Sequence, residues 1–408
     1  MEPAPQPASP KKPRAAIARW LVARLSGYGL ATILLVLLGL LTWLATLEQI
    51  DSGLHHTLRK YFDWRAWYVV PEIRGETLPL VLPGGYWVCA LLALNLTLGG
   101  ILRLRKDWRH AGVLLAHLGI IYLLVAGAVA HHFSQRGHLL IAEGATSNAA
   151  EDYFEHVVEV AEVKDAMPAT IQIIGGKHLT GLEDFDTRTV RLPAMPFDLE
   201  LARFFPNANL MSIADQVPSS DVRTFDGYYL VAKPLELNAE ANTPGCIARI
   251  LYRDGNRSEP FLLTSTAYQP FSVRFDDRIF TILLRKRLWL LPFAVRLDKF
   301  TAEFYPGTMK PSKFVSEITR LENGKPAKAV IQMNEPMRYA NLTFFQASYQ
   351  QLEQGPSARM ASVFEVVRNP ADKWPQYSLY VVSFGLLVHF LTKLVGFIKE
   401  QSRPSHHV

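Results

Sequence analysis

Residues 111–130 read AGVLLAHLGIIYLLVAGAVA and contain no Asp, Glu, Lys or Arg. At about 1.5 Å per residue, a helix of this length is just long enough to cross the hydrocarbon core of a bilayer. One ionisable side chain, His117, lies inside the stretch, and His131 and His132 follow it. Because an ionisable residue in a membrane helix costs free energy, His117 is a candidate functional residue by default.

The composition places the chain between soluble enzymes and transporters with many spans. It has 408 residues, 49% of them hydrophobic, and the long apolar stretches lie near its two ends. It has two cysteines, Cys89 in an apolar stretch and Cys246 in a mixed region, so we expect no intramolecular disulfide. No C-x-x-C motif occurs, which excludes both a thiol-redox motif and a C-x-x-C-H haem attachment site.

The net charge of +6 is concentrated beside the apolar stretches. Residues 1–26 carry +4, residues 103–110 carry +3 and residues 393–408 carry +2. This distribution follows the positive-inside rule and predicts that these segments are cytoplasmic. It does not indicate nucleic-acid binding. Residues 1–18 are also rich in Pro and Ala, and we expect them to be disordered.

Four apolar stretches are long enough to span a membrane, at about residues 27–47, 83–102, 111–130 and 377–397. The first exceeds the ~7–15 apolar residues of a signal peptide, so it is interpreted as a retained anchor. The predicted fold is a membrane protein with four transmembrane α-helices, three N-terminal and one C-terminal. Both termini are expected in the cytoplasm.

The region between the third and fourth spans has the pattern of an antiparallel β domain. Short alternating runs such as Val157–Val163, Ile247–Arg253 and Ala361–Val367 are separated by turn signals such as Asn323-Gly324. The predicted organisation is therefore a cytoplasmic basic tail, a three-helix membrane region, an extracytoplasmic mainly-β domain, and a fourth span with a cytoplasmic tail; these comprise residues 1–26, 27–130, 131–375 and 376–408.

A weak internal repeat suggests two similar sub-domains in the β domain. The series Pro196-Phe197, Leu201, Phe204 matches Pro292-Phe293, Leu297, Phe300 at one constant offset. A duplicated β unit produces such a match. Chance produces a match of this length as well.

An aromatic patch lies in the polar loop expected between Glu48 and Leu80. Its members are Tyr61, Phe62, Trp64, Trp67 and Tyr68. Two interpretations are open, an anchor at the membrane interface and a ligand contact, and the anchor is favoured.

The sequence lacks G-x-S-x-G, H-E-x-x-H and G-x-x-x-x-G-K-[ST] motifs, so it carries no stand-alone catalytic motif. The histidines of the β domain (His138, His156 and His178) show no ligand-like spacing, and most of them are expected at the surface. His117 and His131 are different. On a helix they fall about 40° apart, which gives one face an imidazole inside the bilayer and another at its end. Two interpretations are open: a haem site, and a histidine hydrogen-bonded to a neighbouring helix.

The sequence resembles the ResB (CcsB-type) family of cytochrome c biogenesis proteins along nearly its whole length. The matching segments of the membrane region and first strand are His117-Leu118-Gly119, Gly127 and Gly137–Gly144. Those that follow are Leu297–Phe300, Tyr305–Thr308, Phe314–Ser316, Met333–Pro336 with Tyr339, Phe344–Tyr349 and Arg368–Pro370. The chain departs from many relatives at Ala371–Trp374, where they have a Pro-Gly turn.

The resemblance implies a subunit that works with a ResC/CcsA-type membrane protein. Together they export haem b and promote its covalent attachment to apocytochrome c. His117 matches the family's haem ligand, so an axial bond to the haem iron is expected from it. His131 and His132 are expected as further haem contacts. The chain is then at most one subunit of a haem lyase (holocytochrome c synthase).

The resemblance also implies location in the cytoplasmic (inner) membrane, with the β domain on the periplasmic side. A thiol-reducing thioredoxin-like protein is a further expected partner, and nucleic acid is not. The main alternative is a membrane scaffold that holds apocytochrome or the partner and binds no haem. A sensor facing outward has little support, because the segments expected in the cytoplasm are short.

Overall fold

The computed structural model describes residues 13–165, 167–182, 186–215, 223–308, 310–352 and 359–401. Parts of the two predicted cytoplasmic tails, residues 1–12 and 402–408, lie outside the described residues. The chain divides into two compact units. One comprises residues 1–134 and 369–408, and the other comprises residues 135–368.

The first unit is helical. Its helices are α1 (Pro13–Leu25), α2 (Tyr28–Ser52), α3 (Leu54–Phe62), α4 (Gly85–Asn95, continued by a π-helix over Leu96–Leu102), α5 (Ala111–Phe133) and α6 (Trp374–Gln401). Among the described residues, α2, α4 with its π-helix, α5 and α6 are long and apolar enough to cross a membrane. Three of them precede the β domain in sequence and one follows it, which confirms the predicted fold class.

Two expectations about this unit are wrong. Residues 13–18 were expected to be disordered, yet they begin α1. Pro at the first helical position and a sequence rich in Ala, Arg and Leu favour a helix there. The segment from Glu48 to Leu80 was expected to be a loop. It contains the end of α2, all of α3, the short strand β1 (Tyr68–Val69) and a hairpin of β2 (Glu72–Ile73) with β3 (Glu76–Thr77). β1 pairs with β4 (Leu82–Pro83), which lies just beyond the segment.

The sharp turn between α2 and α3 depends on Gly53. Its φ of 75° lies in the left-handed region that glycine adopts without steric cost. The turn lets α3 start directly after the membrane span. The core of this unit then forms between α2, which contributes Leu34, Leu41 and Leu44, and α4, which contributes Val88 and Leu92.

The second unit is built from sixteen described strands and is mainly β. They are β5 (Gln135–Ala142), β6 (Thr146–Lys164), β7 (Met167–Ile174), β8 (Thr187–Val190), β9 (Phe197–Phe205), β10 (Ala208–Ser212), β11 (Tyr228–Ala232), β12 (Gly245–Tyr252), β13 (Phe261–Thr264), β14 (Phe271–Phe275), β15 (Arg278–Phe304), β16 (Pro311–Glu322), β17 (Lys325–Gln332), β18 (Met337–Tyr339), β19 (Leu342–Gln351) and β20 (Met360–Arg368).

All pairings among these strands are antiparallel, as the alternating runs predict. The largest sheet has the order β17-β16-β15-β6-β5-β20-β19-β18, with β7 on β6 and β14 on β15. A smaller sheet has the order β13-β12-β9-β8, and β10 pairs with β11. The two longest strands, β6 and β15, pair with each other over most of their length. Their pairing runs from Ile279 opposite Val163 to Arg296 opposite Thr146.

The second unit has two hydrophobic cores, and both use β6 and β15. One core contains Phe197 and Leu201 of β9 together with Phe280 of β15. The other contains Phe293 and Leu297 of β15. The matched residues of the weak repeat therefore lie on strands in each core, and the duplication itself stays a prediction.

Candidate functional site

His117 lies on α5, half-buried, beside the π-helix that ends the second span. Its Nδ1 atom is 3.1 Å from the carbonyl oxygen of Gly100. A carbonyl oxygen only accepts hydrogen bonds, so Nδ1 carries the proton and donates it. In a neutral imidazole, Nε2 is then unprotonated and presents its lone pair.

The Nε2 atom of His117 has no hydrogen-bond partner among the described residues. It is also not one of their buried polar atoms that lack a partner. It therefore lies at the surface of this chain, at the level of the membrane. Leu118 and Ile120, which are close to His117 on α5, have apolar and exposed side chains.

The π-helix beside His117 is held in place by the break between α1 and α2. The side-chain amide of Asn95 donates to the carbonyl oxygens of Leu25 and Gly27 at 2.6 and 3.1 Å. One turn further, Gly99 allows close approach to Ser26, because a Cβ at Gly99 would lie 2.6 Å from the Ser26 carbonyl oxygen. The next residue, Gly100, faces His117.

A different face of α5 packs tightly against α6. A Cβ added at Gly112 would lie 2.5 Å from the Gly385 carbonyl oxygen. The Ser378 hydroxyl donates a 2.8 Å hydrogen bond to the Gly119 carbonyl. Small residues at such spacing let two membrane helices approach closely. Since Ala116 faces α6, and His117 is rotated by about 100° from it, the imidazole is directed away from this contact.

His131 and His132 are exposed at the far end of α5, in an aromatic group that we call the rim cluster. Its members are Asp63, Trp64, Tyr86, Trp87, His131 and His132. The Tyr86 hydroxyl and His132 Nε2 are hydrogen-bonded at 3.1 Å, and His131 Nε2 lies 3.8 Å from an oxygen of Asp63. The Nε2 atom of each rim histidine therefore has a polar neighbour, whereas that of His117 has none among the described residues.

The aromatic patch predicted as an interfacial anchor has two parts. Trp67 stacks on Trp87 with ring centroids 4.1 Å apart, and the Trp87 indole donates to the Trp64 carbonyl. Trp67 remains 66% exposed, which suits an anchor. Tyr61 is fully buried, so the anchor interpretation is wrong for that residue.

Gly100, Tyr86 and Asp63 are not among the candidate site residues that the sequence pattern indicates. Tyr86 had a usable signal, because antiparallel neighbouring spans bring the start of the second next to the end of the third. The Gly99-Gly100 pair had a similar signal, because it precedes the third span by a short turn. Which helices touch was not known from the pattern alone.

Several segments that resemble family motifs meet within the second unit. The Glu143 carboxylate accepts a 2.6 Å hydrogen bond from the backbone N–H of Phe300, next to an irregularity in β15. The buried hydroxyl of Ser316 contacts Gln346 at 2.6 Å. Phe300 and Tyr349 stack with ring centroids 5.4 Å apart. These contacts hold strands of this unit in position relative to one another.

The histidines of the β domain are half-buried, which corrects the expectation that most of them lie at the surface. Burial, with a smaller effect of Lys286, lowers the pKa of His156 to about 4. The rings of His138 and Tyr153 pack with their centroids 3.8 Å apart. Burial lowers the pKa of His138. Within the described part of the chain, no three metal-binding side chains form a group.

Comparison with known proteins gives two matches. A model of the ResB-like family matches residues 104–174 and 272–372, which include α5 with its three histidines and β15–β20. The protein NrfI of Wolinella succinogenes is 25% identical over 152 residues. That alignment spans 32% of this chain and only 16% of NrfI.

Proposed function

Because this chain is a ResB-like protein, we propose that it works in cytochrome c biogenesis and carries haem on its third membrane span. The haem is passed on for covalent attachment to apocytochrome c. A ResC/CcsA-type membrane protein is the proposed partner in export and attachment, and a thioredoxin-like protein keeps the apocytochrome thiols reduced. This multi-pass protein is then one subunit of a haem lyase and resides in the inner membrane.

The single observation that supports the proposal is the 3.1 Å contact between His117 Nδ1 and the Gly100 carbonyl oxygen. Because a carbonyl oxygen only accepts hydrogen bonds, this contact favours the neutral tautomer in which Nε2 is unprotonated. An unprotonated imidazole nitrogen is the form that binds haem iron. Histidines that bind metals almost always donate their other ring N–H to a carboxylate, a backbone carbonyl or water. The contact of His117 with Gly100 has this arrangement.

The surroundings of His117 suit haem as cargo. The macrocycle is large and apolar, and residues 111–130 contain no acidic or basic side chain other than histidine. The exposed Leu118 and Ile120 offer apolar contacts on either side of the ligand.

The direction of movement follows from charge and from distance along α5. The basic turn with Arg103, Arg105 and Arg109 is assigned to the cytoplasmic side by the positive-inside rule. His131 lies fourteen residues beyond His117, which is about 21 Å along a helix. We therefore assign haem first to His117 and then to His131 and His132 on the periplasmic side, where the β domain is also placed.

The experiment is an absorption spectrum of the purified protein, alone and with its membrane partner. Wild type is compared with His117→Ala and with His389→Ala, which removes a histidine from another span as a matched control. We expect a Soret band that is lost in His117→Ala and kept in His389→Ala.

An unchanged spectrum in His117→Ala would overturn the proposal and assign haem to the partner. The chain would then be a scaffold for the partner or for apocytochrome. Loss of the band in both variants, with both proteins still folded, would contradict a specific role for His117.

A further inference from the structure

The carbonyl of Gly100 is the one hydrogen-bond partner of the His117 side chain among the described residues. We infer that Gly100 is a positioning residue: it fixes which ring nitrogen of His117 carries the proton and so keeps Nε2 available. This inference rests on the proposed role of His117 as an iron ligand. It adds that a residue on another span determines the tautomer of that imidazole.

The π-helix makes this carbonyl available. Gly100 lies near the C-terminal end of Leu96–Leu102, where backbone carbonyls have no partner within the helix. The N–H that follows the helix, that of Arg103, bonds to the Leu98 carbonyl instead. An unpaired carbonyl in a bilayer is costly, so a donor is needed, and His117 Nδ1–H supplies it.

Only glycine fits at position 100 in this arrangement. A Cβ there would lie 2.5 Å from His117 Nδ1 and 3.0 Å from its Cγ. The helix is also packed closely at Gly99, where a Cβ would lie 2.6 Å from the Ser26 carbonyl oxygen. Asn95 adds two hydrogen bonds to the same break between α1 and α2. A methyl group at position 100 therefore displaces the imidazole rather than the backbone.

Displacement of the His117 imidazole changes which of its ring nitrogens carries the proton. Without an acceptor at Nδ1, the neutral imidazole is free to adopt the tautomer that carries its proton on Nε2. That proton blocks the atom that has to bind iron. Loss of the group that orients a metal-binding histidine typically costs about 10–100-fold in affinity, and we expect a loss of that size in Gly100→Ala.

The first test needs no haem. The full chain is purified in lipid with 15N-labelled histidine, and His117 signals are assigned as those missing in His117→Ala. We expect a protonated Nδ1 and an unprotonated Nε2 in wild type, and partial or full transfer of the proton to Nε2 in Gly100→Ala. The matched control is Gly127→Ala on α5, because a Cβ at Gly127 meets no atom within 4 Å.

The second test is a titration of the same three proteins with haem, together with the reduction potential of the bound iron. Weaker binding and a shifted potential in Gly100→Ala alone support the inference. A wild-type His117 that carries its proton on Nε2, or a signal that is unchanged in Gly100→Ala, would overturn it whatever the haem result. The expected tautomer in a protein whose haem survives His117→Ala would instead refute the proposed haem role and leave the Gly100 contact standing.

Discussion

The Tyr61 hydroxyl donates a 2.8 Å hydrogen bond to the Glu48 carboxylate, and both side chains are almost completely buried. The same carboxylate accepts hydrogen bonds from the Lys60 ammonium and from the backbone N–H of Glu72. Burial and the neighbouring carboxylate raise the pKa of the Tyr61 phenol, so it remains a donor. One buried acid therefore joins α2, α3 and the hairpin that follows.

Glu48→Ala is expected to destabilise the membrane unit strongly. It leaves the Lys60 charge without its buried partner, and breaking a buried ion pair from one side costs about 3–5 kcal/mol. Tyr61→Phe removes one hydrogen bond to a charged group and is expected to cost about 1.5–3 kcal/mol. Thermal unfolding in detergent measures both. Glu76→Ala, an exposed carboxylate on β3, is the control and should leave the melting temperature unchanged. A variant at position 48 that melts like the control would contradict the assigned role.

The contact between α5 and α6 is expected to tolerate no side chain at Gly112. In Gly112→Ala the new Cβ meets the backbone of Gly385 and His389 at 2.5 and 2.4 Å. Overpacking of this kind typically costs about 1–3 kcal/mol, so the melting temperature should fall. Gly127→Ala on the same helix has free space and should be neutral or slightly stabilising, because alanine is the better helix former. Equal melting temperatures for the two variants would show that α5 and α6 do not pack closely in the protein.

The elements of the fold were predictable because each has a signal that depends on nearby residues alone. A run of apolar residues identified every span, and alternation identified strands such as β12 and β20. The same reasoning failed at Tyr61. An aromatic residue beside a span is typically interpreted as an interfacial anchor. The buried hydrogen-bond partner of Tyr61, Glu48, lies thirteen positions away on another helix.

The candidate site divides in the same way. His117 stood out because it is an ionisable group in an apolar run. Gly100 has no chemical signal of its own, and its role appears only when the second and third spans are neighbours. The hydrogen bond from Tyr86 to His132 likewise needs the relation between two helices. The chemically distinctive residue can be recognised from residue type alone, whereas the residues that orient it can be recognised only from helix packing.

The stability of the β domain is expected to fall as the pH drops from about 6.5 to 4. The folded state depresses the pKa of His156 from 6.5 to about 4, mainly by burial, so folding favours the neutral imidazole. The contribution of His156 to the free energy of unfolding is fully present above pH 6.5. It is lost as the pH falls through the pKa of His156 in the folded protein, about 4. The loss is at most about 3 kcal/mol. Urea unfolding of the full chain in detergent at several pH values measures it.

The comparison that isolates this histidine uses His156→Gln, which should lose less stability than wild type over that pH range. His178→Gln removes another half-buried histidine of the same unit and serves as the control. A wild type and a His156→Gln variant with parallel pH profiles would contradict the assignment.

The rim cluster is expected to act after His117 in the path of haem. The double variant His131→Ala, His132→Ala should keep the haem bound at His117, because the two sites are about 21 Å apart along α5. It should lower the yield of mature cytochrome c, because haem no longer has imidazole contacts at the periplasmic end. Haem staining of cytochromes and the Soret band of the purified complex measure the two effects separately. Tyr86→Phe removes only the hydroxyl that is hydrogen-bonded to His132 and keeps both imidazoles, so it should mature cytochrome nearly as well as wild type. Normal maturation in the double variant would show that the rim histidines are structural, and loss of the Soret band would place them in the first haem site instead.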